Sequence, residues 1–137
     1  MKKYLNYAFS YAIAAMVGGV FYREFTKWNG YTGVTALGKV HVHLFILGTI
    51  VFLLVALFAS HLNLEENKNF RLFMKLYNIG LPLMVIMLIV RGVPQVLQIE
   101  LSSGINAMIS GIAGIGHILV GVGLILFLLA LKKLAKN

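Results

Sequence analysis

Apolar positions along this chain come in four long runs, without the short alternation of a half-buried strand. A helix crossing the hydrocarbon core of a bilayer needs roughly 20 mostly apolar residues. Four segments reach that length: about residues 4–22, 37–60, 72–93 and 105–131. The pattern predicts an all-α protein, an integral membrane four-helix bundle that forms a single transmembrane domain over residues 1–137. Local signals mark the ends. Ser102 or Ser103 can cap the fourth helix at its start, and Lys132, Lys133 and Lys136 sit at the negative end of its dipole. Pro94 is expected to stop or kink the third span, and Pro82 to kink it from within. The first run resembles a signal peptide in having Lys2 and Lys3 ahead of it, but Tyr4, Asn6, Tyr7, Ser10 and Tyr11 interrupt its early part. Ala14, Ala15, Gly18 and Gly19 instead suit a mature helix packed closely on another.

Composition agrees with that picture. Apolar residues make up 60% of the chain and charged residues 12%, about half the share of a soluble domain. Mean hydropathy is +0.89. The net charge is +8, but the cations flank the apolar runs as membrane anchors do, so nucleic acid is not the expected partner. Eight basic residues (Lys2, Lys3, Lys68, Arg71, Lys75, Lys132, Lys133, Lys136) fall on one side, and four (Arg23, Lys27, Lys39, Arg91) on or near the other. The excess places both termini in the cytoplasm. The chain has no cysteine, which removes disulfides, thiolate metal sites, iron–sulfur clusters and covalent haem attachment.

The acids Glu24, Glu65, Glu66 and Glu100 all lie at span ends or in loops. Proton-coupled transporters often use an intramembrane acid, so that class loses weight. No arginine ladder suggests a voltage sensor. Histidine is the exception to the apolar pattern. His61 sits at the cytoplasmic end of span two, where an interfacial residue is ordinary. His41, His43 and His117 lie in apolar sequence on the outward half, where an unpartnered polar group is costly. His41 and His43 are about four to six residues into span two, roughly 6–9 Å deep. Span four is longer than a membrane requires, so His117 can reach the same level.

Residues two apart on a helix differ by about 200°, so His41 and His43 cannot both face one partner. Helical phase favours His41, which shares a face with Gly48 and, more loosely, Gly38. Ala113, Gly114 and Gly121 surround His117. Clearance beside an imidazole on two facing helices suits a flat macrocycle. A bis-His haem b needs two imidazoles, apolar walls and cations for its propionates, and Arg91, Lys39 and Arg23 are near the outer end. The bland alternative is tight helix packing through the glycines and a histidine that hydrogen-bonds a neighbouring helix. The stripe Gly80, Met84, Met87, Arg91 reads as packing plus an interfacial anchor, with either methionine a lesser axial candidate.

The segment Ala36-Leu37-Gly38-Lys39-Val40-His41-Val42-His43-Leu44-Phe45-Ile46-Leu47-Gly48 resembles a His-x-His-x4-Gly helix signature of an uncharacterised family of small bacterial four-helix integral membrane proteins. That resemblance implies a multi-pass protein of the bacterial cytoplasmic membrane. The segment also resembles the haem-bearing second helix of catalytic subunits in the haem–copper oxidase superfamily, though little beyond this helix and one later histidine corresponds. The likeness implies His41 or His43 with His117 as axial ligands. It implies neither oxygen reduction nor proton pumping, since such subunits carry about twelve spans, a second haem and a copper-binding histidine cluster.

The expected function is therefore a membrane protein that binds haem b iron through two histidines, for electron transfer or for redox or haem sensing rather than as an enzyme. The expected cofactor contacts are His41, His43, His117, Arg91, Gly48, Gly114 and Gly121, with the three histidines as candidate metal ligands. Partners would be the lipid bilayer, haem, and a redox partner or further copies of the chain. Alternatives are a cofactor-free accessory or structural subunit, and a copper or zinc protein using the same histidines.

Overall fold

The computed structural model describes residues 1–135. It contains four long helices: α1 (Lys2–Trp28), α2 (Leu37–Ala59), α3 (Lys68–Val96) and α4 (Ser103–Leu134). No strand occurs among the described residues, and a short 3-10 turn, Leu64–Glu66, precedes α3. Each long helix is apolar and long enough to cross a membrane, which makes the chain a multi-pass membrane protein. Large apolar side chains such as Phe9, Val20, Ile118 and Leu128 point outward, as lipid-facing residues do. Lys136, counted above with the cytoplasmic cations, lies outside the described residues.

The helix ends follow from local chemistry. Asn67 caps α3, its side-chain oxygen accepting from the backbone N–H of Asn69 at 2.9 Å and of Phe70 at 3.4 Å. Ser102 caps α4, accepting from the N–H of Ile105 at 3.3 Å, as the sequence predicts. Pro94 does not stop α3, which runs on to Val96. Termination comes at Gln98, whose φ of 55° is left-handed. The N–H of Ile99 then bonds the Pro94 carbonyl at 2.9 Å, and that of Gln98 the Gln95 carbonyl. This is the Schellman arrangement, usually built with glycine.

The helices form two hairpins, α1 with α2 and α3 with α4, joined along α2 and α3. The second hairpin is the tighter. A Cβ added to Gly116 would stand 3.0 Å from the Met84 nitrogen, and one on Gly80 3.0 Å from the Val120 nitrogen, so the two backbones touch. Aromatic packing holds the end that carries the termini. Phe73 stacks on Phe127 at 4.9 Å, and Tyr4 meets Phe70 edge-on at 5.8 Å. Such pairs contribute about 0.5–1.5 kcal/mol each beyond area burial.

Helix α2 is not uniform. Residues Leu37–His43 and Val51–Ala59 are α-helical, but Leu44–Ile50 between them winds as a π-helix. The N–H of Val51 reaches the Ile46 carbonyl, five residues back. Two contacts mark this stretch. The Tyr77 hydroxyl donates to the Leu47 carbonyl at 2.8 Å, and the Tyr11 ring sits against Gly48 so closely that a Cβ there would be 2.5 Å from its Cγ. Gly48 therefore holds α1 against α2. It does not clear space beside His41, contrary to the expectation from sequence.

Candidate functional site

The structure separates the two histidines of span two, as their 200° spacing requires, and keeps His41 on the face of Gly38 and Gly48, but that face meets α1 and not α4. His41 turns toward α1. Its ring stacks on Tyr22 with centroids 6.3 Å apart, and its Cβ and Cγ lie 3.6 Å from where Gly19 would carry a Cβ. Gly38 on the same face is filled by the Tyr22 ring, its virtual Cβ 3.2 Å from Cζ. His43, not His41, stands opposite His117. Their ring centroids are 6.4 Å apart and their planes are 84° apart. The phase itself holds, since Gly38, His41 and Gly48 all face α1, where Tyr22 and Tyr11 fill the space beside the two glycines.

The two facing imidazoles are held alike. His43 Nδ1 lies 2.8 Å from the Lys39 carbonyl oxygen, and His117 Nδ1 lies 2.8 Å from the Ala113 carbonyl oxygen. A carbonyl can only accept, so Nδ1 carries the proton in both rings and donates it one turn back. That leaves the lone pair on each Nε2, which has no hydrogen-bond partner among the described residues. A second hydrogen bond that fixes tautomer and ring orientation is the usual support of a metal-ligating histidine. Two imidazoles sharing one metal atom at roughly 2 Å from each nitrogen have ring centres about 6 Å apart. The observed spacing matches.

The surroundings of His117 are open. A Cβ added to Gly114 or Gly121 meets no protein atom within 4 Å. His43 is half-buried and His117 exposed. Toward the outer end, Arg91 Nη2 donates to Ser110 Oγ at 2.5 Å. Ser110 is two helical turns before His117, about 10 Å along the axis. Arg91 and Ser110 line a polar pocket of about 600 Å³ with Gln95, Glu100 and Asn106. The sequence reading missed the last three. Gln95 in turn fixes the loop before α2, its side-chain oxygen accepting from the Ala36 N–H at 2.8 Å. Thr35, buried in the same loop, donates to the Gly92 carbonyl at 3.0 Å.

Other candidates stay apart from this pair. Met84 and Met87 are buried in apolar packing, and His61 is exposed beyond the end of α2. His41 Nδ1 is buried without a partner. Among the described residues no group of three or more His, Asp or Glu side chains is arranged to hold a metal ion, so His41, His43 and His117 do not form a common three-histidine site.

These features define a small helical membrane protein with one facing imidazole pair between its hairpins. The chain belongs to the family described as "Protein of unknown function (DUF2871)", whose model matches residues 1–134. No curated protein and no solved structure matches it, and nothing in these comparisons connects it with the haem–copper oxidases.

Proposed function

We propose that this protein binds haem b in the membrane through His43 and His117, serving electron transfer or redox or haem sensing. The observation that carries the reading is the matched pair: two imidazoles on different helices, each tied through Nδ1 to its own helix, each with Nε2 free, at a spacing that suits one metal atom between them. The residues present fit the group in three respects. The ligand tautomer is correct for both rings. The flank at Gly114 and Gly121 has room for a flat macrocycle. Arg91 lies about 10 Å outward along α4, at the Ser110 level, as a cation for a propionate.

Haem supplies one-electron redox chemistry when bound. The chain's own residues set its conditions. Lys39 and Ala113 carbonyls hold the two rings in orientation and make each Nε2 a better donor. His43 and His117 would hold the iron between them, and a pair of imidazoles would suit one-electron transfer rather than oxygen activation. Gly116, the residue before His117, lets the α4 backbone touch that of Met84 on α3. The proposed setting is the bacterial cytoplasmic membrane, with both termini in the cytoplasm, on the excess of cations at that end. A redox partner or further copies of the chain would complete the pathway.

The test is optical. Protein from haem-replete cells should show a Soret band and, on reduction, the sharp visible bands of a six-coordinate b haem, and His117→Ala should abolish six-coordination. A colourless protein that also fails to bind added haemin rules the reading out. It would leave a cofactor-free accessory subunit, or, if copper or zinc were found in it, a metal protein using the same imidazoles.

A further inference from the structure

At the end of the bundle opposite the termini, the polar pocket between α3 and α4 holds both signs of charge, Arg91 and Glu100, in a volume of about 600 Å³. Opposite charges that share a small space gain by pairing. These two form no ion pair among the described residues. Each is held by its own support. Arg91 Nη2 donates to Ser110 Oγ. Glu100 leaves the end of α3 on a path fixed by left-handed Gln98 and by the bond from the Ile99 N–H to the Pro94 carbonyl. Asn106 fastens the next residue, donating to the Leu101 carbonyl at 3.2 Å.

The unused hydrogen-bonding groups divide in the same way. Around Arg91 they are donors. The guanidinium has further N–H groups, and Ser110 Oγ, which accepts from it, keeps its own proton. The Gln95 oxygen is taken by the Ala36 N–H, which leaves the amide NH2 group. Around Glu100 they are acceptors: its own carboxylate, and the side-chain oxygen of Asn106, whose NH2 group is engaged. The pocket therefore complements a zwitterion. Its level selects the kind. With 29 and 32 residues, α3 and α4 are about 44 and 48 Å long. That exceeds the roughly 30 Å of bilayer hydrocarbon, so these helix ends reach the headgroup layer. Pro94, Ile99 and Leu101 supply an apolar part of the wall.

We propose that this pocket binds the headgroup of a phosphatidylethanolamine, with its phosphate on Arg91, Ser110 and Gln95 and its ammonium on Glu100 and Asn106. A primary ammonium carries N–H donors for both acceptors. The trimethylammonium of phosphatidylcholine carries none, and phosphatidylglycerol brings an anion with no cation for Glu100. Arg91 uses one of its several N–H groups on Ser110, so the proposal neither rests on the haem reading nor displaces it.

The experiment is native mass spectrometry of the full chain from detergent micelles, titrated with the dioleoyl forms of these three lipids. One ethanolamine lipid should bind per chain, about tenfold more tightly than either of the others, the worth of one charge-assisted hydrogen bond. Glu100→Gln, a change at an exposed position, should remove the preference over phosphatidylglycerol with helicity unchanged. Arg91→Gln should weaken binding of both the ethanolamine and the glycerol lipid about tenfold. Equal affinity for all three lipids, or a preference that survives Glu100→Gln, overturns the proposal. Unchanged ethanolamine-lipid binding in Arg91→Gln overturns the assignment of the phosphate. Free phosphoethanolamine that displaces the lipid at equal concentration overturns a lipid site and leaves one for soluble zwitterions.

Discussion

Replacing Gly48 by alanine puts one methyl group where the structure has no room. The new Cβ would stand 2.5 Å from Tyr11 Cγ, 2.6 Å from its Cβ and 2.8 Å from Cδ1. Ordinary carbon contacts are about 3.5–4.0 Å, so roughly 1 Å of separation is required. Tyr11 cannot rotate away, because the atoms in conflict include its Cβ, fixed to α1. Its ring is also stacked on Phe52 at 5.6 Å. The helices must therefore part. Overpacking of this kind costs about 1–3 kcal/mol, against a gain of about 0.5–1 kcal/mol for removing a mid-helix glycine. The net expectation is a loss of about 1–2 kcal/mol. Gly114→Ala and Gly121→Ala meet nothing and should be neutral or gain up to about 1 kcal/mol. Three glycines in membrane helices thus receive opposite signs on geometry alone. Reversible unfolding in mixed micelles, followed by circular dichroism, measures each. Repeating Gly48→Ala in a Tyr11→Gly background, which removes the Cβ as well as the ring, should recover most of the loss. A Gly48→Ala protein as stable as wild type, or a loss unchanged by Tyr11→Gly, refutes the argument.

Four other outcomes are expected. His43→Ala should remove the six-coordinate haem spectrum, while His41→Ala, which only loses its packing on Tyr22 and Gly19, should keep it; the reverse result would restore His41 as the ligand. Arg91→Leu should weaken haem retention or shift the midpoint potential, and wild-type values for both would leave Arg91 as an anchor for Ser110. Single cysteines at positions 29 and 67 should label from opposite sides of the membrane, position 29 from outside; outside labelling at 67 reverses the orientation. Gln98→Gly should raise stability by roughly 1 kcal/mol by relieving the left-handed residue that ends α3, and no change in unfolding would show that Gln98 is not strained.

The spans were legible because bilayer thickness imposes a length and a composition that need no knowledge of neighbours. Even so, α1 extends to Trp28, six residues past the apolar run, since Thr26 and Asn29 bond back to the carbonyls of Tyr22 and Phe25 and continue the helix through polar sequence. The site was half legible. Three outward histidines and the glycines near His117 could be named, and the structure brings His43 and His117 together. The expectation that His41 faces His117 treated every glycine as clearance, and the structure turns His41 to Tyr22 instead. Gly48 and Gly38 each hold a tyrosine from α1, whereas Gly114 and Gly121 face open space, and only the three-dimensional neighbour distinguishes the two uses. The polar pocket was missed for the same reason: Glu100 and Asn106 are separated from Arg91 by a turn whose path depends on Gln98.

The wide-turn stretch Leu44–Ile50 has a consequence for which changes in sequence α2 can absorb. It sits between the imidazoles of the outer half and the aromatic contacts of the inner half, so the two halves are set at an angle fixed by the number of residues between them. Deleting any one residue there would turn everything beyond it by about 100°. Either His43 would swing away from His117, or Phe52 and Val55 would leave the core. Side chains such as Phe45 and Ile46, which face outward, can be exchanged for other apolar groups with little effect. Along this stretch the length of the chain is the constrained quantity, and frame-preserving losses of a single codon should be far rarer in working copies of the gene than substitutions at the same positions.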